Sequence, residues 1–144
     1  MFYLTMVNKK IKFILYFIIS FIVFLFIGLK VLAQPLIHLQ VLLIKIIFGS
    51  FFNYLSFVFV PECSGIVSIS AYLSIILAFK LVKIKASTEI VLKSVLFLFI
   101  INIIRLIVVL FSEKISFVFA EIVHIISWFI IAVIIFWLVI KSKY

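Results

Sequence analysis

The sequence contains no aspartate, a single cysteine, two prolines and three glycines in 144 residues. Each shortage closes a route. Without aspartate, neither a Ser-His-Asp triad nor a paired-aspartate protease can be assembled. With Cys63 alone, internal disulfides and cysteine-based zinc clusters are excluded. Charge is also scarce, at 12% of residues, and the four acids are all glutamates: Glu62, Glu89, Glu113 and Glu121. A soluble domain is typically about 25% charged and about 45–50% apolar. This chain is 69% hydrophobic and 18% aromatic, too little polar sequence to cover a soluble surface. The composition therefore points to an integral membrane protein.

The balance of 13 Lys+Arg against four acids gives a net charge of +9. The bases sit at the ends of apolar runs and do not interleave with exposed aromatics, so they read as topology signals rather than a nucleic-acid surface. Lys9, Lys10 and Lys12 precede the first run, Lys80, Lys83 and Lys85 follow a middle run, and Lys141 and Lys143 follow the last. Placing all three clusters in the cytoplasm requires four crossings, with both termini inside.

The expected fold is an all-α integral membrane protein of about four transmembrane helices plus an interfacial or re-entrant helical segment, in one domain spanning 1–144. The first span covers 13–33 and is read as a retained anchor rather than a signal peptide, because the run exceeds a usual h-region and Lys30 interrupts the cleavage region. Residues 35–60 are apolar but broken at Gly49-Ser50, with Lys45 and Asn53 inside. Stretches of this length are more often interfacial or re-entrant than spanning. The remaining spans are expected at 64–81, 90–111 and 120–140. No internal repeat and no soluble domain is apparent.

This arrangement puts three chemically capable residues at one depth near the outer face. Cys63 precedes the inward span, Arg105 lies in the outer half of the next, and His124 lies early in the last. Pro61-Glu62-Cys63-Ser64-Gly65-Ile66 is a polar, turn-rich break, and a thiol at a helix N-terminus is activated by the dipole. A guanidinium inside a span costs about 2.5–3.5 kcal/mol on insertion scales and usually marks function. Asn102 shares the face of Arg105, and Glu121 shares the face of His124, three residues away in each case. A metal centre is not expected: His38 is the only other histidine, and HExxH is absent. Trp128 and Trp137 read as interface anchors or bundle packing.

Together, Glu62-Cys63-Ser64-Gly65-Ile66 at a span start, Asn102-x-x-Arg105 late in the next span and His124 early in the last resemble the exosortase/archaeosortase family of membrane-embedded cysteine transpeptidases. The resemblance covers roughly residues 57–136, although typical members carry more spans. It implies cleavage, outside the membrane, of exported proteins bearing a carboxy-terminal motif, a transmembrane helix and a basic tail. Some members transfer the new carboxyl end to a further carrier, so a lipid or glycan acceptor is among the implied partners. It maps Cys63 as nucleophile with Arg105 and His124 as catalytic partners, and implies no cofactor. Glu62, Ser64, Gly65, Asn102 and Glu121 are candidate auxiliary residues. Glu62 would orient His124 or pair with Arg105, and backbone N–H groups at Ser64 and Gly65 would help to bind an oxyanion.

Two other readings stay open at this point. In a non-enzymatic subunit of a membrane assembly or transport complex, Arg105 would pair with Glu121 or Glu62 and Cys63 would be replaceable. In a channel or proton path, Arg105, His124 and Glu121 would line a wet interior.

Overall fold

A computed structural model describes residues 2–49, 61–82 and 87–142, with side chains described from Lys9 in the first stretch and from Cys63 in the second. All elements in these stretches are helical, as expected for an all-α membrane protein. In chain order they are α1 (Phe2–Ile27), a π-helical turn (Gly28–Leu32), α2 (Ala33–Phe48), a 3-10 turn (Pro61–Ser64), α3 (Ile66–Leu81), α4 (Thr88–Glu113) and α5 (Phe117–Lys141). Three helices are long and apolar enough to cross a membrane: Lys9–Phe48, Thr88–Glu113 and Phe117–Lys141. The α3 helix has 16 residues, about 24 Å at ~1.5 Å per residue, shorter than a hydrocarbon core of about 30 Å.

The expected division between residues 33 and 35 is absent. The first helix continues through Pro35 to Phe48, giving one 40-residue unit from Lys9. Proline normally breaks a helix because its ring collides with the carbonyl four residues earlier and it donates no hydrogen bond. Here the π-helical turn comes immediately before it, and Ala33 N–H reaches back five residues to Gly28 O. That wider turn relieves the crowding just where Pro35 needs it. The helix ends at Phe48, and Gly49 has a φ of 55°. This agrees with the interruption read at Gly49-Ser50. The rest of the expected interfacial segment, 50–60, lies outside the described residues, as do Lys83, Lys85 and Lys143.

The α3 helix is the centre of the bundle. Its residues Ile66, Ser68, Ser70, Tyr72, Ser74, Ile76 and Ala78 are buried, on more than one side of the helix, and its polar members there are small serines and one tyrosine. It packs antiparallel to α1: Phe13 stacks on Phe79 near one end, with ring centroids 5.0 Å apart. At the other end a Cβ on Gly28 would collide with the Ile66 side chain, so glycine permits the close approach of the two helices.

A tight turn joins α4 to α5. Ile115 and Ser116 both donate backbone hydrogen bonds to Ser112 O, and the Ser116 hydroxyl caps α5 by accepting from Phe119 N–H at 3.1 Å. At the opposite end of this hairpin, Ser87 N–H donates to Ser142 O at 3.3 Å. These pairings gather Lys9, Lys10, Lys12, Lys80, Lys93 and Lys141 at one end of the bundle. The outward surface is rich in exposed Ile, Leu, Val and Phe, the composition a lipid environment requires.

Two apolar clusters divide the interior. Tyr72, Ile76, Leu98, Leu138 and Val139 form one toward the lysine-rich end. Ile44, Leu106 and Leu110 form the other, with Phe48, Cys63, Ile103 and Ile107 packed against them. On α4 the polar pair Asn102 and Arg105 falls between Leu98 and Leu106. A polar layer is thus enclosed by apolar layers on both sides.

Candidate active site

The depth of this layer follows from the α4–α5 hairpin. Arg105 is 17 residues from Thr88, and His124 is 17 residues from Lys141. At ~1.5 Å per residue, both side chains sit about 26 Å from the lysine-rich end. They meet: Arg105 Nη2 lies 3.3 Å from His124 Nδ1 and 3.4 Å from Nε2. The guanidinium is only 5% exposed. Its Nε donates to Ser127 Oγ at 3.1 Å, and its Nη1 donates to Asn102 Oδ1 at 3.1 Å. The Trp128 ring covers it, with Cζ 4.2 Å from the ring centroid, a cation–π contact strengthened by burial.

No carboxylate among the described residues pairs with Arg105. The salt bridge on α4 joins Lys93 to Glu89, far along the helix from Arg105. Arg105 is held by an amide, a hydroxyl, an imidazole and an aromatic face. Each guanidinium nitrogen thus has a neutral partner among the described residues. Cys63 packs against the Ile44, Leu106 and Leu110 cluster that borders this layer.

The polypeptide around Cys63 is held through its carbonyls. Asn102 Nδ2 donates to Cys63 O at 2.7 Å, and Gln40 Nε2 donates to Ser64 O at 3.0 Å. Asn102 is 1% exposed and Gln40 is fully buried. Two amides from two different helices therefore hold consecutive peptide groups of the cysteine turn. Asn102 does more, because its oxygen simultaneously receives Arg105. One side chain ties the cysteine backbone to the buried cation.

The start of α3 completes the turn. Ser64 Oγ accepts from Ile66 N–H at 3.3 Å. Gly65 adopts φ +80°, and a Cβ there would lie 2.9 Å from Asn102 Cγ. Glycine is required twice over, by the left-handed backbone and by contact with the amide. Cys63 itself sits in the 3-10 turn, one residue before Ser64, rather than in the first turn of α3.

His124 is held from its own helix. Trp128 Nε1 donates to His124 Nε2 at 3.2 Å, and Ser127 Oγ donates to His124 O at 2.6 Å. Trp128 Nε1 can only donate, so His124 Nε2 is the acceptor of that bond. A crevice of about 180 Å³ between the ends of α4 and α5 reaches His124, lined by Val109, Glu113, Phe117, Ala120 and Glu121.

The structure therefore brings Cys63, Ser64, Gly65, Asn102, Arg105 and His124 into one layer. Glu121 is exposed on the crevice rim and makes no described hydrogen bond to His124 or Arg105. The Glu62 side chain lies outside the described residues, and so do its two suggested roles. Among the described residues no three His, Cys, Asp or Glu side chains group as a metal site.

Sequence reasoning passed over Gln40 and Ser127 and gave Trp128 a lesser role. Gln40 is a lone amide in an apolar run, and Ser127 and Trp128 follow His124 by three and four residues. Those spacings put them on the face of His124 and were the available signal. No protein-family model, curated protein or solved structure matches this chain.

Proposed function

We propose that this protein is a membrane-embedded cysteine protease or transpeptidase that cleaves carboxy-terminal sorting signals of exported surface proteins. Cys63 is the nucleophile, and Arg105 and His124 act with it. The chain works as a multi-pass protein of the cell membrane, with the site on the extracytoplasmic side and both termini in the cytoplasm. The observation that carries this reading is the buried Arg105 guanidinium, held among the described residues by neutral partners beside the cysteine turn. A cation so placed in apolar surroundings attracts a negative charge, and acyl transfer generates two: a thiolate and a tetrahedral oxyanion.

The chemistry then runs as follows. His124 takes the thiol proton on a ring nitrogen, while the sulfur attacks the scissile carbonyl carbon. Arg105 and the backbone N–H groups of Ser64 and Gly65 receive the oxyanion. The C–N bond breaks, His124 returns the proton to the leaving amine, and a thioester to Cys63 remains. Water, or an amine-bearing lipid or glycan acceptor, attacks the thioester and restores the thiol. The non-enzymatic reading expects Glu121 or Glu62 on Arg105; Glu121 makes no described hydrogen bond to it, and the Glu62 side chain lies outside the described residues.

Mass spectrometry of the organism's surface proteins, with Cys63 intact and with Cys63→Ala, tests the proposal. The expected result is a subset of proteins that keep their carboxy-terminal helix only in the variant. Their new carboxyl ends in the unaltered strain then separate hydrolysis from transfer. An unchanged surface proteome, with the variant present at normal level in the membrane, refutes it.

A further inference from the structure

The lysine-rich end of the α4–α5 hairpin carries a second feature, independent of the cysteine site and of the function proposed for it. Below the polar layer the two helices border a groove of about 430 Å³, within the size range of small-molecule sites. Its walls have matching order. On α4, Lys93 is followed one turn deeper by Phe97. On the antiparallel α5, Lys141 lies one turn outside Trp137. Leu138 and Ser94 complete the deeper lining. On each wall, therefore, a lysine stands one turn nearer the lysine-rich end than an aromatic residue.

The lining residues are also available. Lys93 is 73% exposed, Trp137 52% and Phe97 40%. Lys141 Nζ rests 5.0 Å from the Trp137 ring centroid. Lys93 Nζ is 2.6 Å from Glu89 Oε1, on the water side of the groove. Among the described residues, two lysines less one carboxylate give the mouth a net charge of +1.

We propose that this groove binds one anionic phospholipid of the adjacent leaflet. Its phosphodiester sits between Lys93 and Lys141, and its acyl chain lies over Phe97, Trp137 and Leu138. The charge selects the ligand. A phosphodiester bearing one negative charge and a neutral headgroup cancels the +1 of the mouth. A zwitterionic lipid brings no net charge and leaves it uncancelled. The apolar lower half selects a lipid over a soluble phosphate, which would leave that surface unfilled. Basic pockets between transmembrane helices bind anionic headgroups by the same balance of attraction.

Native mass spectrometry of the delipidated full chain, titrated with phosphatidylglycerol or phosphatidylcholine, tests this. We expect one phosphatidylglycerol retained in preference to phosphatidylcholine. Lys93→Gln with Lys141→Gln should weaken it about 30-fold, at about 1 kcal/mol per lysine. Both lysines are surface residues, so the folded bundle survives the change, and Lys45→Gln on α2 serves as the control for loss of a lysine elsewhere. Glu89→Gln should tighten binding severalfold by removing the competitor for Lys93. Equal retention of the two lipids, an unaltered affinity in the double variant, or equal loss in Lys45→Gln overturns the site. Displacement of the lipid by glycerol phosphate at equal concentration overturns the lipid as occupant.

Discussion

Asn102 is the residue through which the cysteine turn and the buried cation are joined, and its replacement by leucine tests the site directly. The substitution keeps most of the volume and removes two hydrogen bonds, to Cys63 O at 2.7 Å and from Arg105 Nη1 at 3.1 Å. A buried polar group left without its partner costs about 1–3 kcal/mol, and more when charged. Contacts between transmembrane helices average less, about 0.6 kcal/mol with a ceiling near 1.7, because the unfolded chain in lipid also finds partners. Both contacts here belong toward the ceiling: one involves a charge, and the other a carbonyl fixed in a 3-10 turn. We therefore expect Asn102→Leu to destabilise the protein by about 2–3 kcal/mol. Unfolding of the purified chain by dodecyl sulfate in mixed micelles measures this. A double-mutant cycle with Arg105→Met should show a coupling of about 1–1.5 kcal/mol. Wild-type stability in Asn102→Leu, or a coupling below about 0.5 kcal/mol, would refute the argument that this amide organises the site.

Other consequences follow from the same geometry. Gly65→Ala meets both a φ of +80° and the Asn102 amide at 2.9 Å, so a stability loss of about 1–3 kcal/mol is expected; an unchanged unfolding curve would contradict it. Gly28→Leu should separate α1 from α3 and destabilise the bundle, and Ile66→Ala in the same chain should recover much of the loss, since Ile66 is the group a Cβ at Gly28 strikes. Failure of that rescue in the same unfolding assay would mean that the helices do not meet there. Arg105→Lys retains the charge but replaces three N–H directions, toward Ser127, Asn102 and His124, with a single ammonium. It should therefore lose at least about tenfold in processing of the surface proteins that depend on Cys63, the loss of one charge-assisted bond. Processing at the wild-type rate would show that only charge matters at this position.

The sequence by itself determined the membrane class, the helical fold and the shared depth of Arg105 and His124. These follow from local quantities: apolar composition, run length and lysine position act wherever the chain folds, and depth is counted along a helix from a turn. The site residues were legible in proportion to their cost. A guanidinium within a span is conspicuous because hydrocarbon makes it expensive, and Cys63 and Gly65 stood out in a polar break between apolar runs. Gln40, Ser127 and the donor role of Trp128 were not legible, since a single amide, hydroxyl or indole in a span has many possible partners.

Tertiary structure decided the rest. Pro35 reads as a boundary in one dimension, yet the π-helical turn before it lets the helix pass. Glu121 shares a helix face with His124 on paper, yet it lies on the crevice rim instead of against the imidazole. Which amide reaches which carbonyl depends on how α2, α3 and α4 pack, and no spacing along one helix contains that information. The convergence of Gln40, Asn102 and Arg105 on the cysteine turn is therefore a property of the bundle, because hydrogen bonds are made between atoms brought within about 3 Å and only the packed helices set those distances.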